Sequence, residues 1–198
     1  MRPVNPAPSV ASQQAQSVRA GDIAFARMEK VNAELVAITY GSLVSHLIRS
    51  KDNPLAVQAD LDRIGHSMGT RLVDEFLAKF GTPACQSFKE SMEVLSKVAV
   101  KMFLGIETEL TELGPKSFLL TFPENPLNDF VELPPELRTA GFSYSSVFCG
   151  IVRGAFEQLH MRVMCEFVKD TLRGDDTNAI QVDLVGLIRP EEEEDDEN

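Results

Sequence analysis

Residues 53–88 read NPLAVQADLDRIGHSMGTRLVDEFLAKFGTPACQSF, and this stretch decides the fold of the chain. Asn53 and Pro54 form a helix start, because Asn caps free N–H groups and Pro fits the first turn without losing a hydrogen bond. An apolar stripe then continues to Phe80, and Gly81 supplies a stop, since glycine readily adopts the left-handed conformation that closes a helix. The stripe consists of Val57, Leu61, Ile64, Met68, Leu72, Phe76 and Phe80. The sequence therefore predicts one long amphipathic helix.

Two glycines interrupt this helix at a spacing of four residues. Gly65 and Gly69 each cost about 1 kcal/mol relative to alanine in a helix interior. Such a cost suggests that another backbone or a ligand comes close at these positions. We therefore interpret Gly65, Met68, Gly69 and Leu72 as residues that line a channel or mark a close approach.

Cys85 lies in the short Gly-Pro break after this helix and directly before a second helix start. Ser87 and Glu90 form a capping-box pattern, in which each side chain satisfies a backbone donor at the other position. Free N–H groups and the helix dipole at such a start favour a thiolate. On spacing alone, Cys85 is either an inert thiol or one that is used chemically, and both interpretations stay open.

Further helices and four strands follow from the hydrophobic period of the remaining sequence. A helical period predicts helices over residues 30–49, 87–105 and 145–160. Alternation and turn residues predict strands over residues 105–114, 116–124, 161–171 and 179–189. The proline-broken segment 125–144 is expected to be irregular with a single turn of helix.

The order of elements is therefore three helices, a strand pair, one helix and a second strand pair. Hairpins separated from helices in this way are typical of an α+β fold, in which helices cover one face of an antiparallel sheet. The sequence thus predicts long helices packed on one side of a small four-stranded antiparallel sheet.

The two ends of the chain differ in composition from its middle. Residues 1–27 are rich in Pro, Ala, Ser and Gln and contain few large apolar residues, so we expect a flexible leader. Residues 191–198 read EEEEDDEN, and such a run is usually a disordered tail that keeps a protein in solution. Residues 28–190 are expected to form a single domain.

The composition excludes several classes of function. The chain has 198 residues and a net charge of −11, whereas binding to nucleic acid or directly to anionic lipid needs clustered Lys and Arg. No run approaches the roughly 18 consecutive apolar residues of a membrane span, and the N-terminus lacks the apolar core of a secretory signal. We therefore expect a cytoplasmic protein without nucleic-acid partners.

No recognisable catalytic or metal-binding motif occurs in the sequence. No histidine has a partner at metal-ligand spacing, and neither a G-x-S-x-G turn nor a G-x-x-x-x-G-K-[ST] loop is present. Cys85, Cys149 and Cys165 form no C-x-x-C pair, which argues against zinc and against a disulfide framework. Cys149 and Cys165 fit a helix and a strand as small buried apolar residues. We therefore expect no catalytic site and no metal site.

Six segments in order along the chain carry a resemblance to a known family. They are LVAITYGSLVSHL (35–47), DRIGHSMGTRLVDEFLAKF (62–80), KVAVKMFLGI (97–106), ENPLNDFVELP (124–134), CGIVRGAFE (149–157) and FVKDTLRGD (167–175). Together they resemble the Bet-three-type small core subunit of TRAPP, the transport protein particle that tethers vesicles at the Golgi. The resemblance covers roughly residues 30–189 and leaves out the leader and the acidic tail.

This resemblance implies an α/β plait that pairs with itself, as a homodimer, or with sister TRAPP small subunits through its helices. It implies a subunit of a complex that acts in ER-to-Golgi transport as nucleotide exchange factor for a Rab-family GTPase. The expected location is cytoplasmic and peripheral, at the cis-Golgi and the ER–Golgi interface, with membrane contact only through the complex. In the family, one copy's tail reaches toward the nucleotide pocket, so residues 191–198 could also contact the GTPase.

The resemblance also implies a covalently bound palmitate or similar long acyl chain, held in a hydrophobic channel by a thioester to a cysteine. Cys85 falls at the matching position before Phe88-Lys89-Glu90, and Gly65 and Gly69 would thin the helix wall for the chain. The family pattern has a basic residue directly before this cysteine, and here that residue is Ala84. Because an adjacent cation promotes thiolate formation, its absence implies a less activated thiol.

Two other functions compete with a scaffold subunit. A free-standing lipid- or small-ligand-binding module would use the same cavity without a complex. A cysteine-dependent acyltransferase would need a base within hydrogen-bond reach of Cys85, and the sequence does not identify one.

Overall fold

The structure is a computed structural model that describes residues 10–80, Cys85 and residues 87–188. Its helices are α1 (Val10–Arg27), α2 (Ala33–Ser50), α3 (Pro54–Phe80), α4 (Phe88–Val94), α5 (Val100–Leu104), α6 (Pro135–Thr139) and α7 (Val147–Gln158). A π-helical segment, Leu95–Ala99, joins α4 directly to α5. Its strands are β1 (Glu109–Gly114), β2 (Ser117–Phe122), β3 (Met161–Lys169) and β4 (Asn178–Leu187).

The four strands form one antiparallel sheet in the order β1-β2-β4-β3. The two hairpins meet where β2 pairs with β4, with Leu120 opposite Ile180. One face of the sheet is buried, whereas Met164 and Val168 on β3 are exposed on the other. The predicted α+β class, with a small antiparallel sheet and several helices, is confirmed.

Helix α7 lies between the sheet and α3, and the main hydrophobic core forms around it. Buried side chains from α3, α4, α7 and the sheet contribute to this core, among them Leu61, Met92, Phe118, Phe156 and Ile180. Phe88 at the start of α4 stacks edge-on against both Phe118 and Phe156, at centroid distances of 5.4 and 5.6 Å. Phe88, at the start of α4, is thereby anchored to the sheet and to α7.

Local capping signals set several helix ends where the sequence predicts them. Ser87 Oγ accepts a hydrogen bond from the Glu90 amide at 3.2 Å at the start of α4. Gly105 ends α5 with a positive φ of 72°, and its amide donates to the Lys101 carbonyl at 3.0 Å. The π-helical segment between α4 and α5 was not predicted.

The composition predicts a flexible leader over residues 1–27, whereas the structure has helix α1 over Val10–Arg27. Ala24 is buried against Phe76, Val98 and Met102, so α1 packs on the rest of the molecule. The close approach uses two small residues, since Ala24 is buried and a Cβ atom at Gly21 would overlap the Lys97 carbonyl. Residues 1–9, the Gly81 stop and the acidic tail 191–198 lie outside the described residues.

The remaining differences concern element ends. Strand β3 ends at Lys169, two residues before the predicted boundary, because Asp170 caps a short 3-10 turn over Thr171–Arg173. The single turn of helix expected within residues 125–144 is α6. Within the described part of the chain, no helix is both long and apolar enough to cross a bilayer.

Candidate functional site

An apolar cavity of about 440 Å³ lies between α3, the π-helical segment with α5, α7 and the sheet. This volume falls within the range of roughly 300–1,000 Å³ that is usual for ligand pockets. Most lining side chains are aliphatic or aromatic; the polar ones are Cys85, Ser91, Thr108, Gln158 and His160. The cavity is therefore suited to a long apolar ligand with few polar groups.

The helices form this cavity because each presents one apolar face to it. Helix α3 contributes Leu72, Val73, Phe76 and Leu77, a spacing that places all four on the same side of a helix. On α7 the lining residues begin at Phe148 and end at Gln158, which corresponds to about 15 Å along the helix axis. Ala99 and Ala155 also line the cavity, and their small side chains leave space that larger residues would fill.

Cys85 is half-buried and lines this cavity as a free thiol. Burial raises the pKa of the Cys85 thiol, the nearby Glu90 carboxylate adds to the increase, and a hydrogen bond from Ser91 partly opposes it. The sequence predicted that the helix start would favour a thiolate. In the structure, burial shifts the pKa in the opposite direction and so favours the protonated thiol.

The other two cysteines do not line the cavity. Cys149 is buried on α7, and burial raises the pKa of its thiol to about 12. Burial also raises the pKa of Cys165, on β3, well above its usual value. Both thiols are consistent with the predicted role of small apolar residues.

The predicted channel residues separate into two groups. Leu72 lines the cavity, whereas Met68 is exposed and Gly65 and Gly69 lie elsewhere on α3. A Cβ atom at Gly65 would overlap the Val147 carbonyl, and one at Gly69 would overlap that of Ile151. The close approach at both glycines is thus with the backbone of α7, and the thin channel wall expected from them is not seen.

Two glycines on α7 complete this helix crossing. A Cβ atom at Gly150 would overlap the Asp62 carbonyl, and one at Gly154 would overlap that of His66. Two side-chain pairs flank the crossing, Arg153 with Asp62 and His66 with Glu157. The glycines therefore bring α3 and α7 into backbone contact and fix two walls of the cavity relative to each other.

Sequence reasoning missed two parts of this site. Ala99 and Ala155, small residues on otherwise bulky apolar faces, were the available signal for a cavity. The contribution of the π-helical segment had no such signal. Among the described residues, no group of three His, Cys, Asp or Glu side chains is arranged to hold a metal ion.

Comparisons with known proteins agree on one family. The family model for transport protein particle (TRAPP) components matches residues 36–183. Trafficking protein particle complex subunit 3 of Dictyostelium discoideum is 43% identical over 170 residues, which are 85% of this chain and 91% of that protein. Trafficking protein particle complex subunit BET3 of Saccharomyces cerevisiae is 36% identical over 187 residues, covering 92% of this chain and 96% of that protein.

A solved structure extends the comparison to three dimensions. The crystal structure of a trafficking protein particle complex subunit 3 from Naegleria fowleri, covalently bound to palmitic acid, is 44% identical to this chain with a TM-score of 0.78. The match covers 82% of this chain and all of the Naegleria chain. This chain belongs to the TRAPP component family, as a subunit of the Bet-three type.

Proposed function

We propose that this chain is a non-catalytic scaffold subunit of a TRAPP-type vesicle-tethering complex, and that Cys85 carries a palmitate or similar long acyl chain. The observation that carries the acyl proposal is that Cys85 is the one cysteine of three that lines the apolar cavity. The palmitic acid bound covalently to the related Naegleria protein supports the same chemistry.

Loading would proceed by thioester exchange with a long-chain acyl thioester. The Cys85 sulfur attacks the acyl carbonyl carbon, a new S–C bond forms, and the bond to the donor's sulfur breaks. The donor thiol leaves with the proton that Cys85 loses. Because the pKa of the Cys85 thiol is raised, we expect loading to be slow, and the neutral thioester product then removes a buried titratable group.

A bound chain would become part of the core. Burying about fifteen methylenes at roughly 0.8 kcal/mol each contributes a gross term near 12 kcal/mol. The chain in this proposal stabilises the fold and does not serve as a membrane anchor.

An exposed apolar face on α2 supports assembly with other subunits. Leu35, Val36 and Ile38 near the start of α2, with Val31 just before it, are between 45% and 74% exposed. Leu35 and Ile38 share one side of the helix, and contiguous exposed apolar patches usually mark a protein interface. We propose that this α2 face contacts a sister TRAPP small subunit or a second copy of the chain.

The family also suggests a cellular role. In this proposal the complex acts in ER-to-Golgi transport as nucleotide exchange factor for a Rab-family GTPase, and the subunit works in the cytoplasm, peripheral to the cis-Golgi. The names of the trafficking-particle relatives support the transport role. The net charge of −11 is consistent with membrane contact made by the complex as a whole.

Intact-mass measurement of the purified protein tests the acyl proposal directly. We expect an added long acyl group that hydroxylamine removes, and that is absent from Cys85→Ser but present in the matched control Cys165→Ser. An unmodified wild-type mass would reject the proposal, and so would an added acyl mass that remains in Cys85→Ser.

The cavity alone also fits a free-standing lipid-binding module. The native mass of the protein in cell extract separates the two functions, because a scaffold subunit migrates with a large complex and a free module migrates near 21.9 kDa. A cysteine-dependent acyltransferase is a weaker candidate, since the raised pKa of Cys85 disfavours the thiolate needed for turnover.

A further inference from the structure

Helix α1 packs against the outer side of the helical wall that encloses the cavity. Gly21 approaches the carbonyl of Lys97 so closely that a Cβ atom there would overlap it. The Phe25 ring lies against Gly105, where a Cβ atom would come within 2.8 Å of it. Asp22 adds an ion pair with Lys101 at 3.8 Å. These contacts hold α1 along the π-helical segment and α5.

The side chains under α1 also line the cavity. Phe76, Val98 and Met102 are buried with Ala24, and partly buried side chains surround them. Five residues belong both to this cluster and to the cavity lining: Phe76, Leu77, Val94, Ala99 and Phe103. The wall between α1 and the cavity is therefore a single layer of side chains.

This shared layer of side chains couples the docking of α1 energetically to the filling of the cavity. An empty apolar cavity leaves its lining without contact atoms on one side, so the lining side chains lose dispersion energy and gain freedom. A chain in the cavity supplies those contacts and holds the same side chains in the positions that α1 needs. By linkage, whatever stabilises α1 docking also favours the filled cavity.

The π-helical segment connects the same two sites through the backbone. Leu95 and Ala99 line the cavity from this segment, while the carbonyl of Lys97 between them faces Gly21. Ser96 and Thr108 join their hydroxyl groups at 2.8 Å and fix the segment to the start of β1. Movement of the cavity wall at Leu95 or Ala99 would thus displace the backbone on which α1 rests.

We propose that α1 reports whether the cavity is filled: an acyl chain keeps α1 docked, and removal of the chain releases it. This inference rests on the proposed acylation of Cys85 and concerns the regulation of that same site. The occupancy of the cavity would thereby change the outer surface of the protein, through the docking of a helix of 18 residues.

Hydrogen exchange measured by mass spectrometry tests the coupling in the full-length protein. We compare the amides of residues 19–27 in the acylated protein and after hydroxylamine treatment, with intact mass verifying both forms. Typical couplings between sites begin near a factor of five, so we expect exchange in α1 to accelerate about fivefold or more. Helix α2 contributes no cavity-lining residue and is the internal control, whose exchange should change less.

Two variants of α1 separate docking from general destabilisation. Gly21→Leu prevents the approach to Lys97 while improving helix propensity, so α1 should exchange rapidly in both forms. Ala26→Leu adds the same side chain at an exposed position of α1 and should preserve the acyl-dependent difference.

Equal α1 exchange in two forms whose masses differ by the acyl group would overturn this inference and leave the proposed function intact. Retention of the acyl-dependent difference in Gly21→Leu would overturn it as well. An unmodified Cys85 in the purified protein would reject the acylation itself and, with it, the inference.

Discussion

At the scale of single residues, the cavity depends on small side chains placed opposite large ones. Ala155 and Ala99 line the cavity from α7 and from the π-helical segment. The amphipathic pattern of each helix predicts which face is apolar, but it does not distinguish a filled core from a hollow one. Whether space remains beside Ala99 and Ala155 depends on the side chains that other helices and the sheet place there, which lie far away in the sequence.

Replacing Ala155 by Phe should exclude the acyl chain. The aromatic ring would occupy part of a cavity of about 440 Å³ that the chain also needs. Overpacking usually costs about 1–3 kcal/mol, which corresponds to a loss of occupancy of about 5- to 150-fold. Intact mass of Ala155→Phe should therefore show mostly unmodified protein.

Ala78→Phe provides the matched control, since Ala78 is exposed on α3 and does not line the cavity. This variant should keep wild-type acylation. Full acylation of Ala155→Phe would show that the chain lies elsewhere.

Asp170 is a second residue whose environment leads to a prediction. Its side chain is fully buried, Oδ1 accepts a hydrogen bond from the Leu172 amide at 2.9 Å, and Oδ2 has no hydrogen-bond partner among the described residues. Burial raises the pKa of Asp170, with the Asp175 charge adding to the increase and Arg173 opposing it. Folding therefore favours protonation of Asp170 relative to the unfolded chain.

The sign of the pH dependence follows from that direction. A folded pKa above the unfolded value of about 3.9 gives a stabilising contribution that is complete below that value and is lost as pH rises through the folded pKa. Asp170→Asn cannot ionise, so it does not lose this contribution. We expect the melting temperature of Asp170→Asn minus that of wild type to be more positive at pH 7 than at pH 4. The same difference at both pH values would contradict this prediction.

At the scale of secondary-structure elements, the crossing of α3 and α7 determines how the cavity walls meet. Gly65 and Gly69 on one helix face Gly150 and Gly154 in the other, and each removes a side chain that would separate the backbones. The same glycines appear costly when α3 is considered alone, because each weakens a helix interior. Their stabilising role exists only in the packed pair.

Gly69→Leu should therefore destabilise the protein strongly. The new side chain would meet the backbone of Ile151 and Ala155, which cannot rotate away as a side chain can. We expect a loss of about 3 kcal/mol or more in the free energy of unfolding, measured by denaturant titration. Gly114→Leu is the control, since no atom lies within 4 Å of a Cβ there, and similar losses in both variants would argue against backbone contact as the cause.

Local signals account for the elements that the sequence predicts well. The Ser87 cap, the Gly105 end of α5 and the alternation in the strands act through hydrogen bonds and side chains close in sequence. Helix α1 was missed because its stability depends on Phe76 and Met102, which lie far away in the chain. The neighbour of Gly65 and Gly69 was missed for the same reason. The position of Cys85 before a helix start was predicted because the Ser87 cap is a local signal.

At the scale of the whole molecule, the exposed apolar residues of the α2 face distinguish the two main functions. Leu35 and Ile38 are 64% and 55% exposed and lie one turn apart on α2. A monomer gains nothing from this arrangement, whereas an assembled subunit would bury it. This face therefore supports the proposed role as a subunit of an assembly.

Charging this face should release the subunit from its complex. We expect the double variant Leu35→Glu, Ile38→Glu to shift from the large native mass in cell extract toward the monomer mass, because burying an unpaired carboxylate costs several kcal/mol. Met164→Glu, Val168→Glu places the same charges on the exposed face of the sheet and should leave the native mass unchanged. An unaltered mass for the α2 double variant would exclude this face as the interface.

The π-helical segment has a consequence for how this sequence tolerates insertions and deletions. Each residue of an α-helix turns the chain by about 100°, whereas a π turn takes up one extra residue within a single turn, so the residues that follow keep nearly the same angular phase. Deleting one residue from Leu95–Ala99 would therefore allow a continuous α-helix that still directs Val100, Phe103 and Leu104 toward the cavity. The π turn, more than the identity of any residue in it, keeps the two halves of the helix in phase with the cavity.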